Sequence, residues 1–407
     1  MRQSRACLHF QPSTPVYRTV EALMSPVPAY LVAARRSAIG RVGGLHKNRR
    51  IEELGAPVLA AALQDSGLEP AQIDEVIVGN ASQGGNPARL IALASGLPES
   101  VAAATVDRQC GSGLDAILTA MRAIALGEAD AIIAGGAEAL STAPWRVARP
   151  KSQQQLPHFL SFEANLDERE LPPRIEAAEE LSARLGISRA QQDAYALRTH
   201  LLAETARTAK RFVGEMVPIR ANAEEARDES AIEPDFKDLA QLAPYLPPDG
   251  TLTPGNTSTL HDGAAMTVVV SERMWGTLGK PRALRLVGHS ARGVAPDDEA
   301  AAPIVAMQRL QQRLNGYKPA DIGVVEMSES SAAQAIALMQ KLELEENILN
   351  PDGGAIARGH PFGAAGAVLV SRLFTRMARG DAEGPKLGVA ALGVMGGMGL
   401  AAAFEAV

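Results

Sequence analysis

The chain has 407 residues, 46% hydrophobic and 21% charged, enough for one large core or two and without compositional sign of disorder or fibre. Its formal net charge of -6 lacks the basic excess that nucleic acid or an anionic membrane surface requires, so neither is an expected partner. With only two cysteines, Cys7 and Cys110, a disulfide framework has no basis and a reducing, cytoplasmic setting is the simplest expectation. No apolar run approaches the roughly 20 residues that span a bilayer.

The first 24 residues carry Arg2, Arg5, several Ser and Thr and no acid before Glu21, a weak likeness to an organellar targeting segment. Arg2 and Gln3, spaced from His9 and Phe10, loosely resemble an N-terminal peroxisomal signal, although a start at Met24 or a plain extension explains the same residues. From there β-rich runs alternate with helical patterns: YLVAARR, a helix around Leu54 to Ser66, EVIVGN, a helix from about Gly111, then ADAIIAGG. That alternation is α/β. From about Val147 to Gly250, Pro-rich loops surround two amphipathic patterns, EAAEELSARLG and RAQQDAYALRTHLLAETARTAKR, which read as an inserted, mostly helical segment. The α/β pattern then returns with AAMTVVVS, ALRLVGH, a helix from about Ala302, VVEMSES, another helix and a glycine-rich end.

Cys110 and His360 each precede a small-residue turn that opens a helix, GSGLDAILTAMRAIALG and PFGAAGAVLVSRLFTRMARG, and a strand-like segment follows both. Two duplicated half-domains would present the two side chains on corresponding loops. A thiol at a helix N-terminus has unpaired N–H groups and a positive dipole end beside it, which favour thiolate. The same features suit a buried structural cysteine. His360 lies among glycines 353, 354, 359, 363 and 366, a loop that positions one imidazole to take a thiol proton or support an oxyanion. A histidine bonded within a turn is the plain alternative. The tail GVAALGVMGGMGLAAAFE reads as a buried strand or a place where ligand approaches backbone, as does TLTPGNTSTLHDGAA with Ser258. No dinucleotide or phosphate-loop spacing occurs.

These residues resemble the thiolase family over nearly the whole chain, from about Tyr30 to Val407. ARRSAIGRVGG, QGGNPARLIALASGLP, VDRQCGSG, GISRAQQDAYALRTH, GNTSTLHDGAA and GGAIARGHPFGAAG match its motifs in order. The resemblance implies two similar α/β halves in a five-layered αβαβα core, with an inserted helical loop domain that holds coenzyme A. It sets an extension over residues 1–27, one half over 28–146 completed by 251–274, the loop domain over 147–250 and the other half over 275–407. It implies acylation of Cys110 with help from His360, and Ser258 near the pantetheine end. It also implies an acyl-CoA thioester as substrate, no cofactor or metal, and a homodimer or homotetramer.

Three departures stand against the match. The family's Met-Gly pair ahead of the first inserted helix reads Arg174-Ile175, in a region poorly matched from Arg149 to Pro173. The Asn-Glu-Ala-Phe motif reads Ser328, Glu329, Ser330, Ser331, so the oxyanion site is expected to be weaker by the order of 2.7 to 4 kcal/mol that a lost donor costs. Where the family has Cys-X-Gly, this chain has Gly393, Val394, Met395, so the second catalytic cysteine is absent. Ser330 neighbours that position, and Met395 keeps a backbone N–H for an oxyanion. Three functions remain open: condensation or thiolysis with another acid/base, acyl transfer or hydrolysis without carbon-carbon chemistry, and a non-catalytic coenzyme-A-binding subunit.

Overall fold

The computed structural model describes residues 27–150, 152, 155–160, 173–219, 227–229, 235–314, 316–380 and 384–407. The targeting-like residues, Cys7 and Met24 lie outside them. The first half runs β1 (Ala29–Arg36), β2 (Gly40–Arg41), α1 (Ile51–Ser66), β3 (Glu75–Gly79), α2 (Pro87–Ala94), β4 (Ala102–Val106), α3 (Ser112–Ala125) and β5 (Ala131–Glu138). Three helices follow, α4 (Pro173–Leu185), α5 (Arg189–Thr208) and α6 (Phe236–Gln241). Beyond them come β6 (His261–Ser271), α7 (Glu272–Thr277), β7 (Leu284–Gly293), α8 (Ala302–Gln311), β8 (Ile322–Ser328) and α9 (Ala332–Leu342). The chain closes with α10 (Ala355–Arg358), α11 (Ala365–Phe374), β9 (Leu387–Val394) and β10 (Met398–Ala406). Among the described residues no helix is long and apolar enough to cross a membrane.

Local chemistry sets these bounds. At α5, Ser188 and Gln191 form a capping box in which the Gln191 side chain accepts from the Ser188 N–H at 2.8 Å. At α1, Glu52 and Glu53 complement the positive end of the dipole, and Gly67 at φ 72° stops the helix.

The sheet order is β4-β3-β5-β6-β1-β7-β10-β9-β8, with β2 on β6. In the first half β3 is parallel to β5, β5 antiparallel to β6 and β6 antiparallel to β1. In the second, β8 is parallel to β9, β9 antiparallel to β10 and β10 antiparallel to β7. Val325 of β8 bridges Leu349 in parallel, the place that β4 takes beside β3. The duplication expected from Cys110 and His360 is therefore a duplication of strand order. Strand pairing carries the sheet from one half into the other at Tyr30 and Leu31, which pair with Arg285 and Leu284.

Strand alternation separates three cores. Met266, Val268 and Val270 of β6 face α1 and α2, whereas Ala265 and Val269 face α3 and α11. Ala391, Ala401 and Ala403 face α8 and α9, whereas Ala390, Leu392, Ala402 and Phe404 turn to α3 and α11. The result is the five-layered αβαβα core that the resemblance implies. Its middle layer is tight: a Cβ at Gly113 would stand 2.9 Å from the Gly363 carbonyl oxygen, and one at Gly366 would stand 2.6 Å from the Leu114 Cβ.

A buried charge network ties the layers to the segment after α5. Arg36 of β1 donates to Glu215 and to Asp228, both at 2.7 Å, and Arg372 of α11 pairs with Glu215 and Asp352. The Arg36 and Arg372 guanidinium carbons lie 5.4 Å and 4.8 Å from the centre of the Phe212 ring.

Candidate active site

Cys110 lies between β4 and α3, one residue ahead of the N-cap Gly111. Gln109 adopts φ 49° just before it, a conformation that costs a non-glycine residue on the order of 1–3 kcal/mol. The turn this makes carries the thiol round to the helix end. Ser112 braces it, donating to the Gln109 carbonyl at 2.6 Å and accepting from the Arg108 N–H at 2.8 Å.

His360 follows the corresponding bridge of the second half. Gly359 precedes it at φ 98°, where a Cβ would meet the His261 ring at 2.3 Å. The His360 N–H donates to the Thr259 carbonyl and its carbonyl accepts from His261, each at 3.0 Å. This ladder also carries Ser258, whose N–H donates to the Ser330 carbonyl at 3.1 Å. On the ring, Nδ1 meets Ser328 Oγ at 2.9 Å, so Nε2 is the nitrogen left for the cleft.

Cys110, His360, Ser258, Ser330, Gly393 and Met395 line one cleft of about 590 Å³. Ser328 is not among the lining residues. It was expected at the oxyanion, but it sits behind the imidazole and holds it directly. The carboxylate of that motif, Glu329, accepts from Tyr195 at 2.8 Å, Asn350 at 2.6 Å and the Ile356 N–H at 3.1 Å. It joins α5 to the turn before His360 and does not reach the cleft.

Four further residues were not assigned to the site from the sequence. Arg174, Glu299 and Gln334 line the cleft; Arg174 stood out only as a departure from the family's Met-Gly pair, and no local motif marks the other two. Gln334 Nε2 stands 3.1 Å from where a Cβ on Gly393 would lie, so an amide borders the place of the missing cysteine. Glu138 accepts from the Gly363 N–H at 2.8 Å and the Ala81 N–H at 3.2 Å, fixing the turn after His360, and burial pushes its carboxyl up to about 7.

The expected resting thiolate is not what the surroundings favour. Burial pushes the Cys110 thiol up to about 12, against the N–H groups of Met395 and of Cys110 itself, while Glu299 raises it and Arg174 lowers it. Burial, with Arg174 and His261 beside it, holds His360 down to about 3. A helix end supplies at most ~2 kcal/mol to a neighbouring charge, less than burial costs this anion. The free site is thus a neutral thiol beside a neutral imidazole. Alkylation of Cys110 by iodoacetamide, followed by peptide mass mapping, is expected to accelerate steadily from pH 6 past pH 10. A plateau reached near pH 7 would mark a preformed thiolate–imidazolium pair instead.

The thiolase N-terminal domain family matches residues 29–273 and the thiolase C-terminal domain family residues 280–406. An acetyl-CoA acetyltransferase of Allochromatium vinosum is 37% identical over 390 residues, covering 92% of this chain and 98% of the relative. A β-ketoadipyl-CoA thiolase of Pseudomonas putida is 35% identical over 403 residues, covering 93% and 99%. The crystal structure of the Bacillus anthracis acetyl-CoA acetyltransferase superposes with a TM-score of 0.87 at 34% identity, covering 94% of this chain and 100% of that one. With both family domains matched in order on a duplicated core, the chain belongs to the thiolase family of acyl-CoA acyltransferases.

Proposed function

We propose that the protein moves acyl groups from coenzyme A through an acyl-Cys110 intermediate. The observation that carries this is the meeting of Cys110 and His360, from equivalent crossovers of the two halves, in one cleft. As the sulfur attacks the thioester carbonyl, His360 Nε2 takes the thiol proton and returns it to the departing coenzyme A sulfur. The N–H groups of Cys110 and Met395 support the carbonyl oxygen as it gains charge. Ser328 fixes the ring, and Ser258 and Ser330 border the pantetheine end. Because the pair is neutral at rest, the thiol proton leaves during attack and not before it.

In the first reading the acyl group passes to a second acyl-CoA, or is released from a 3-oxoacyl-CoA by thiolysis. That step needs a group to carry the α-proton, and Glu299 is the one carboxylate lining the cleft among the described residues. In the second reading the acyl group goes to water, an amine, an alcohol or another thiol. The observation favouring it is the amide of Gln334 at Gly393, where the family places a proton-carrying thiol. On incubation with acetyl-CoA, the Cys110 peptide is expected to gain an acetyl group, and failure to do so would remove both readings. Cleavage of acetoacetyl-CoA then favours the first, and acylation without cleavage favours the second.

On the same basis the protein is a cytoplasmic enzyme of lipid metabolism that works as a homodimer or homotetramer. The half-exposed edge strand β4 supports association, since open edges seek a partner. Sedimentation of the intact protein is expected to give twice or four times the mass of one chain.

A further inference from the structure

Resting on the acyl-transfer reading, we propose that the cleft selects acyl groups ending in a carboxylate, and that Arg174 receives that carboxylate. Arg174 opens α4 and is half-buried in the wall of the Cys110 cleft. Its Nε is buried without a hydrogen-bond partner, and no ion pair of its guanidinium is found among the described residues. The wall beside it is apolar, formed by Ile175, Ala178, Leu252 and Ala300. A guanidinium in such surroundings is costly unless an anion meets it. Glu299 does not fill that role, because its carboxylate accepts from the N–H groups of Gly396 at 2.8 Å and Gly397 at 3.3 Å and so faces the tail loop.

The missing anion is therefore brought by the ligand, and its position tells which part of the ligand. Arg174 is near enough for its charge to act on both Cys110 and His360. The phosphates of coenzyme A lie a full pantetheine arm away from the thioester, so the anion within reach belongs to the acyl side. The planar fork of arginine matches a carboxylate with two parallel hydrogen bonds. A short dicarboxylic acyl chain, such as succinyl, places its free carboxylate a few bonds from the sulfur of Cys110.

The test uses only the first half-reaction, which needs no second acid/base. Acylation of Cys110 is followed by mass spectrometry with succinyl-CoA or butyryl-CoA, which carry four carbons each. Succinyl-CoA is expected to react faster by roughly 10- to 100-fold, the worth of one hydrogen-bonded charge pair. Arg174→Met is expected to remove that advantage by slowing succinyl transfer about 10-fold or more beyond any change in butyryl transfer, with Arg174→Lys in between. Free succinate is expected to slow butyryl transfer in the unaltered protein, and succinamide, which carries no carboxylate, is not, which gives a measurement independent of any variant. Equal rates for the two donors would overturn the proposal. So would an equal slowing of both in Arg174→Met, because the guanidinium would then act only through its field on the sulfur and imidazole. If neither donor acylates Cys110, the acyl-transfer reading falls and this inference with it.

Discussion

Replacing Cys110 by alanine is expected to abolish acyl transfer, with a loss of roughly 10⁴- to 10⁶-fold, as when the nucleophile of a coupled catalytic unit is removed. Cys110 is the only cysteine among the described residues, and no serine beside it shares its helix end and the Met395 N–H. Ser112 is committed to the turn through both its hydrogen bonds. Cys110→Ser is expected to fare little better, because a hydroxyl yields its proton far less readily than a thiol whose own ionisation is already opposed by burial. The measurement is the rate of coenzyme A release from acetyl-CoA, with circular dichroism to establish that the fold persists. Alanine removes only a sulfur from a site that is already packed, so stability is expected to change by about 1 kcal/mol. Retained turnover in Cys110→Ala would transfer the chemistry to another residue.

Glu215→Gln is expected to lower stability by about 3–5 kcal/mol, the cost of removing one partner from a buried ion pair. Glu215 lies between Arg36 and Arg372, with all three side chains fully buried. Burial alone would raise its carboxyl, yet Arg372 and Arg36 hold it below the ordinary carboxylate range. Asp352, beside Arg372 and Arg376, is held down in the same way. Since these folded pKa values lie below the unfolded ones, their stabilisation is complete above about pH 4.5 and fades as pH falls through the folded values. Urea titrations at pH 7 and pH 4 are expected to show a large gap between variant and parent at the first and a smaller one at the second. Breaking the exposed Arg184–Asp298 pair, half open to solvent on both sides, is expected to cost under about 1 kcal/mol.

Much of the architecture was legible because it is written in local pattern. YLVAARR and AAMTVVVS gave β1 and β6, and the small-residue turns after Cys110 and His360 pointed to the repeated strand order. The gathering of Cys110, His360, Ser258, Ser330, Gly393 and Met395 followed from ordered motifs. Glu299 and Gln334 could not be assigned, since each reaches the cleft from an element whose own sequence says nothing of it, and Arg174 was visible only as a departure from the family's Met-Gly pair in a poorly matched region. The charge state was misjudged for a related reason. Position at a helix end can be read from VDRQCGSG, but the burial of a sulfur depends on β9, β10 and α4, far along the chain. Ser328 was expected to line a weakened oxyanion site, and only the fold reveals that its hydroxyl is already occupied by the far side of the ring.

The sulfur and the imidazole ride on separate helices that touch backbone to backbone at Gly113 and Gly366. Their separation is consequently a mechanical setting of the middle layer, fixed by how far one helix can slide along the other. A single methyl group at either glycine would act as a spacer, wedging nucleophile and base apart from deep inside the molecule while leaving every residue around the substrate unaltered.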